Sequence, residues 1–363
     1  MAEKTRKLFK IDWSTMNLPE LDQNGMIKFL IELLETPSPT GFTDNAIALC
    51  EKELAKLPDI TLQKTHKGAL VATLPGETEG PWRALTAHVD TLGAMVKEIK
   101  YNGRLRLTKL GGYAWNTVEG EGVTVFTRTG ETVRGSLLID KASTHIFGQE
   151  VGSTERSDAN MEVRLDVDTN SDSDTQALGI EVGDFVAFDP RVETNHGFIR
   201  SRHLDDKACV ANIIYAAKAL ADAGLKPRVT TVLFISNYEE VGHGAAAGIP
   251  PEVSELVAVD MAAVGNGQNS DEHYATLCVK DSGGPYHHGL SLRLRQLAEN
   301  YNIPYKVDIY PFYGSDGGAF WRAGGNVAVA LIGPGVDASH NYERTHTNAL
   351  VATTNWCLAY LLN

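Results

Sequence analysis

The chain has 363 residues, 43% apolar and 22% charged, which supports a sizeable buried core and excludes bulk disorder. A formal net charge of -13, with no local Lys/Arg block, argues against nucleic acid as a partner. No apolar run approaches the ~18 residues that cross a bilayer, so no membrane partner is expected.

Met1 to Lys10 is polar and basic with no apolar stretch behind it, so no secretory leader is expected. Cys50, Cys209, Cys278 and Cys357 are scattered and form no C-x-x-C pair. That sets aside a disulfide framework and a thiolate zinc site, and it suits a reducing, cytoplasmic location. Met26, Phe29, Leu30, Ile31, Leu33 and Leu34 recur at helical spacing over residues 25–35, and Thr36-Pro37-Ser38-Pro39 stops that helix. Thr43 is placed to cap a second helix over 44–57. Strands are expected near 60–65 and 69–74. A third, over 83–87, reads as buried and delivers His88-Val89-Asp90 at its carboxyl end.

The texture then changes. Residues 98–195 hold short alternating segments, such as Arg104-Leu105-Arg106-Leu107 and Val123-Thr124-Val125-Phe126, broken by Gly, Asp and Asn. This predicts a β-rich insertion without helices. Asp166, Asp168, Asp172 and Asp174 lie within it but lack EF-hand spacing, so they read as an exposed polar loop.

From Asp205 the helical period returns. Asp205-Asp206 opens a helix carrying Val210, Ile213, Ile214, Ala217 and Leu220 on its apolar side, and Gly224 and Pro227 end it. Further strands are expected over 229–235, 256–259 and 327–332, with helices over 288–301 and 354–362. The alternation predicts an α/β fold, a mostly parallel central sheet with helices on both faces. Residues 1–97 and 196–363 form this domain, and 98–195 interrupt it.

His88 and Asp260 end predicted strands, Glu239-Glu240 come just after the end of another, and Asp205-Asp206 sit at a helix start. In an open α/β sheet the carboxyl ends of the strands meet at one crevice. Carboxylates gathered there repel one another, and divalent cations neutralise them. Histidine with Asp/Glu suits zinc, cobalt or manganese. A two-metal site needs a shared carboxylate and a free one to take a proton from water. Adjacent Glu239 and Glu240 can divide such tasks. Singly, each residue has an ordinary explanation: a solvated loop for Glu239-Glu240, a core histidine for His88, a helix cap for Asp205-Asp206, a turn for Asp260, and the surface for His340 and His346. The joint pattern carries the weight.

Thr86-Ala87-His88-Val89-Asp90, His203-Leu204-Asp205-Asp206-Lys207, Glu239-Glu240-Val241-Gly242, Val257-Ala258-Val259-Asp260, Gly314-Ser315-Asp316-Gly317-Gly318 and Thr345-His346-Thr347 come in that order. The set resembles metallopeptidase family 42, the tetrahedral and glutamyl aminopeptidases. The resemblance covers most of the chain, including Leu110-Gly111-Gly112-Tyr113 in the insertion. It implies that His88, Asp205, Glu240, Asp260 and His346 hold two divalent ions, zinc or cobalt with manganese also accommodated, and that Asp205 bridges them. It implies Glu239 as general base, Asp90 as the group orienting His88, and Asp316 on the substrate side near the free amine. The implied activity is removal of N-terminal residues from short peptides through a metal-bridging hydroxide. The insertion is implied to be a small PDZ-like or barrel module that makes dimers, which build a dodecamer.

Lys207 stands where the family often has Arg. Both His340 and His346 fall in the last stretch, and the Thr-His-Thr context favours His346. An alternative is a related di-metal carboxypeptidase or amide deacylase. Asp281-Ser282-Gly283-Gly284-Pro285 echoes a serine-protease nucleophile loop, but the helices and dispersed cysteines do not suit that all-β class.

Overall fold

The computed structural model describes residues 17–363, so Met1 to Lys10, where no leader is expected, lies outside the described residues. In the strand Val229–Ser236, Leu233 and Ile235 belong to one buried apolar cluster while Val232 and Phe234 belong to another. A strand apolar on both faces needs cover on both. One face is covered by the helices Gln23–Glu35, Leu204–Asp222, His288–Asn300 and Thr347–Leu362, which bury Leu30, Ile213, Leu294 and Trp356 against it. The other is covered by the helix Asp316–Arg322 and by Tyr286 and Tyr310.

Four strands run parallel at the centre of the sheet, in the order Val229–Ser236, Thr78–His88, Val253–Val259 and Ala328–Asp337. Leu70–Leu74 and Thr61–Lys64 add antiparallel on one side. Ala275–Asp281 also pairs antiparallel with Ala328–Asp337, and Tyr305–Ile309 extends it. The register sets Ser236 beside His88 and Ala258 beside Thr86. Three strands therefore finish at one level, and the segments leaving their carboxyl ends meet at one edge.

After His88 the chain leaves the sheet. Gly93–Ile99, Leu105–Leu110, Met161–Leu165, Thr132–Ile139, Gly122–Phe126 and Phe185–Phe188 close, in that order, into a six-stranded barrel. Leu105 and Leu107, Val123 and Val125, and Leu137 and Ile139 fill its interior at every second position. Single-turn helices at Thr144–Phe147 and Glu150–Ser153, and the short helix Asp172–Ala177, interrupt a stretch for which no helix is expected. Asp166, Asp168, Asp172 and Asp174 are exposed, as their polar setting predicts. Arg202 clamps the barrel to the sheet domain. It is buried, and its guanidinium donates to the Thr117 carbonyl, to Glu121 Oε1 (3.1 Å) and to the Asn341 carbonyl (3.2 Å).

Two predicted helix starts shift. The last helix begins at Thr347 because the His346 side chain accepts from the Asn348 amide at 3.1 Å and caps it. Asp205 and Asp206, expected in the first turn of their helix, have non-helical dihedrals and stand at its neck. All four cysteines are buried and unpaired. Among the described residues no helix is long and apolar enough to cross a membrane.

Candidate metal centre

His88 is the last residue of its strand, and its side chain is buried. Its Nδ1 lies 2.9 Å from the Asp90 backbone carbonyl, which can only accept. Nδ1 therefore carries a proton, and Nε2 is the nitrogen that would exchange its proton for a cation. Nε2 lies 3.1 Å from Asp205 Oδ1 and 3.7 Å from Glu239 Oε2. The backbone amide of His88 donates to Asp206 Oδ2 at 3.2 Å, locking the strand end to the helix neck.

Asp260 comes directly after its strand and joins His88 and Asp205 in a buried triad whose ligand atoms lie within 4.8 Å of one another. A second triad within the same limit is Asp205, Glu240 and His340. His340 Nε2 is 3.4 Å from Asp205 Oδ2 and 3.6 Å from Glu240 Oε2. Asp205 thus belongs to both triads, one carboxylate oxygen toward each histidine.

The electrostatics reflect this crowding. Burial first, then Asp205, pushes Asp260 up to about 7. Burial and the Asp205 charge likewise raise Glu240, and burial raises Glu239, each well above the ordinary carboxyl range. Burial opposes the charge on His340, but Asp205 and Glu240 hold it up to about 11. Asp205 is the exception: burial disfavours its charge, yet the two histidines keep its carboxyl well below the usual range. Isolating charges from water costs several kcal/mol apiece, and here the anionic groups outnumber their partners. Glu240 Oε1 is buried and meets no hydrogen-bond donor. Carboxylate oxygens and imidazole nitrogens in two triads sharing one carboxylate fit a pair of divalent cations.

Two of the sequence-predicted residues stand elsewhere. His346 is not brought to the cluster. Its ring stacks on His273 (centroids 4.4 Å apart) and meets Phe198 edge-on, while its Nδ1 caps the last helix. The position expected for His346 is filled by His340, which lies in a left-handed backbone conformation with φ of 62°. Asp316, expected on the substrate side, is not among the residues lining the cleft above the cluster. It is buried and its carboxylate is consumed by structure: Oδ2 accepts from Thr86 (2.9 Å) and from Ser236, and Oδ1 accepts from the Ala245 amide (2.7 Å). Gly244 must remain a glycine beside it, since a Cβ there would stand 2.1 Å from Asp316 Oδ1.

Asp90 lies where a positioning group is expected, with two functions. Its carbonyl holds His88, and its carboxylate accepts from the Glu239 and Glu240 amides (3.1 and 3.4 Å) and from Thr40 (2.7 Å). Two residues were not anticipated from the sequence. Glu343 is buried, and its carboxylate accepts from the Asp205 amide (3.1 Å) and the His340 amide (3.0 Å). Gly112, in the barrel, turns its carbonyl to His340 Nδ1. The density of His and Glu over 340–346 was the only sequence signal for the first. The second lies in the Leu110-Gly111-Gly112-Tyr113 stretch that carries part of the resemblance, which gave it no role. Ser282 donates to the Tyr313 carbonyl, and Asp281 accepts from Tyr286 and the Gly283 amide, so that loop is not a nucleophile site.

A cleft opens over the cluster. Its floor carries Asp205, Glu239, Glu240, Asp260 and His340, and Met261, Tyr310, Phe312, Tyr313 and Arg322 stand around it.

An open sheet with an acid-and-histidine cluster at its carboxyl edge, interrupted by a closed β-barrel, is an architecture shared with solved aminopeptidases. A solved aminopeptidase from the archaeon Desulfurococcus kamchatkensis superposes with a TM-score of 0.83 at 22% identity, covering 93% of this chain and 95% of that one. A Pyrococcus horikoshii TET1 peptidase, described as able to assemble into a tetrahedron or a large octahedral shell, superposes with a TM-score of 0.82 at 21% identity, over 93% and 99% of the two chains. The sequence profile of the M42 glutamyl aminopeptidase family matches residues 68–355, and the chain belongs to that family of peptide hydrolases. It is also 47% identical, over 92% of its length and 96% of the relative's, to the protein of Bacillus subtilis (strain 168) named "Putative aminopeptidase YhfE".

Proposed function

We propose that this chain is a di-metal aminopeptidase acting on short peptides, with His88, Asp205, Glu240, Asp260 and His340 holding two zinc or cobalt ions, manganese being a further candidate. The observation that carries the reading is the shared carboxylate: Asp205 turns Oδ1 to His88 Nε2 at 3.1 Å and Oδ2 to His340 Nε2 at 3.4 Å. Cations bound there supply Lewis-acid polarisation of the scissile carbonyl and acidify water.

Glu239 is the general base in this reading. It faces the cleft, ends next to His88, and is held by Asp90 through its backbone amide. Burial raises its affinity for a proton, which suits a group that takes one from water and passes it to the departing amine nitrogen. Asp90 is a positioning residue that keeps His88 Nε2 forward and Glu239 and Glu240 in line. The match to the glutamyl aminopeptidase family, and a 47% identical relative named an aminopeptidase, favour an aminopeptidase over a carboxypeptidase.

The barrel leaves Tyr101, Ile146 and Val182 largely exposed, with 85%, 76% and 67% of their surface free. Exposed apolar side chains of this size are available for self-association, and the large assemblies described for the TET peptidases of this fold lead us to extend a homo-oligomeric state to this chain. Four unpaired cysteines accord with a cytoplasmic site of action.

The test is a screen on chelator-treated protein reconstituted with zinc or cobalt. It compares peptides with a free N-terminus, the same peptides N-acetylated, and N-acyl amino acids. Turnover of the free peptides alone is expected. Full turnover without metal, or turnover of the acylated compounds alone, would overturn the reading.

A further inference from the structure

The inner triad, His88 with Asp205 and Asp260, and the outer triad, Asp205 with Glu240 and His340, both draw their groups from the sheet domain. The outer one, however, has a member held from outside that domain. His340 sits in a loop between the strands Ala328–Asp337 and Glu343–His346, and its Nδ1 faces the carbonyl of Gly112, which belongs to the barrel. A carbonyl can only accept, so Nδ1 carries a proton, and Nε2, facing Asp205 and Glu240, is the nitrogen that would exchange its proton for a cation. Gly112 comes after Gly111, whose φ of +86° is a conformation that favours glycine. A Cβ on Gly111 would also meet Leu92 at 2.4 Å and Glu240 Cβ at 3.5 Å. The turn is therefore pressed against the outer triad itself. Arg202 fixes the seat from below by bonding both the barrel, at Thr117 and Glu121, and Asn341, the neighbour of His340.

We infer that the Gly111-Gly112 turn of the barrel is a positioning element of the outer cation site. The insertion thereby sets the tautomer and direction of His340, and outer-site affinity depends on how the barrel is seated while inner-site affinity does not. The inference rests on the proposed di-metal reading and goes beyond it by assigning a barrel turn to one of the two sites.

Two glycine-to-alanine changes in the insertion separate the possibilities. Gly111→Ala forces a side chain into the left-handed region and moves the turn. Gly152→Ala, in another part of the insertion, adds a methyl where nothing lies within 4 Å. Each full-length variant is titrated with cobalt, tracking the visible absorption bands and the bound metal per chain, with melting curves as a check on folding. Wild-type protein and Gly152→Ala are expected to bind two equivalents. His340→Ala is expected to keep one. Gly111→Ala should keep the first equivalent at wild-type affinity and weaken the second about tenfold or more, as loss of an outer partner typically does. Gly111→Asn tolerates the left-handed region better but still meets Leu92, so it is paired with Leu92→Ala, which removes that contact; the double variant should fold even if the alanine variant does not and should lose less. Wild-type affinity for both equivalents in the Gly111 variants, or an equal loss of both, would overturn the inference. A wild-type protein that takes up fewer than two equivalents would instead overturn the di-metal reading.

Discussion

His88 and Asp260 reach the cluster from the ends of buried parallel strands, whereas Glu240 and His340 reach it from loops. The inner pair is fixed by sheet register: Ser236 beside His88, Ala258 beside Thr86, and the Asp260 amide on the Ile332 carbonyl at 3.0 Å. The outer pair is fixed by side chains and by another module: Asp90 under Glu240, Glu343 under His340, Gly112 behind its ring. Only Asp205 joins the two. One half of the centre is thus a product of backbone hydrogen bonding, and the other of local polar contacts that single substitutions can remove.

That contrast can be tested, and the largest effect comes from removing what both halves hold. Chelation should abolish turnover, and zinc or cobalt should restore it; undiminished activity in excess chelator would end the comparison at once. Glu239→Gln should keep two metal equivalents and lower kcat by roughly 10²–10⁴-fold, the usual contribution of a general base. Wild-type kcat in that variant would remove Glu239 from the chemistry. His340→Ala and His346→Ala separate the loop histidine from the helix cap. The first should lose one equivalent and most activity, whereas the second should keep both equivalents with kcat within about twofold, since capping contributes only ~1 kcal/mol to stability. Loss of metal from the His346 variant instead would reverse the assignment. The smallest catalytic effect is expected for Asp316→Ala. Leaving the Thr86, Ser236 and Ala245 donors without an acceptor should lower stability by about 2–4 kcal/mol, measured as a fall in the denaturation midpoint, with KM little changed. A raised KM at unchanged stability would return Asp316 to the substrate side.

The same contrast explains which parts of the molecule were legible in the sequence. Val229–Ser236 and Val253–Val259 announce themselves as apolar runs, and a parallel sheet then requires the residues after them to meet at one edge. So His88, Glu239, Glu240 and Asp260 could be gathered before any coordinates, and the module between them showed in its alternating Leu105/Leu107 and Val123/Val125 pairs. The path of the loop over 338–343 was not legible. Ala338 and His340 both take positive φ, which a sequence does not announce for non-glycine residues. The motif-like Thr345-His346-Thr347 drew attention to a histidine whose work is to start a helix. Asp316 misled in a similar way: a Ser-Asp-Gly-Gly run beside the site reads as functional, yet its carboxylate joins two strand ends to a loop. Leu110-Gly111-Gly112-Tyr113 stood out as part of the resemblance, but the role of Gly112 did not, because a backbone carbonyl from a separate module leaves no side-chain signature.

The central claim is that His340, seated by the barrel, completes a second cation site around Asp205. The most direct measurement is diffraction from zinc-loaded crystals at the zinc absorption edge, which locates the ions independently of activity. Two anomalous peaks are predicted about 3.5–4 Å apart, one of them about 2.0–2.1 Å from His340 Nε2 and none beside His346. A single peak at the inner triad, or a peak on His346, would contradict the account.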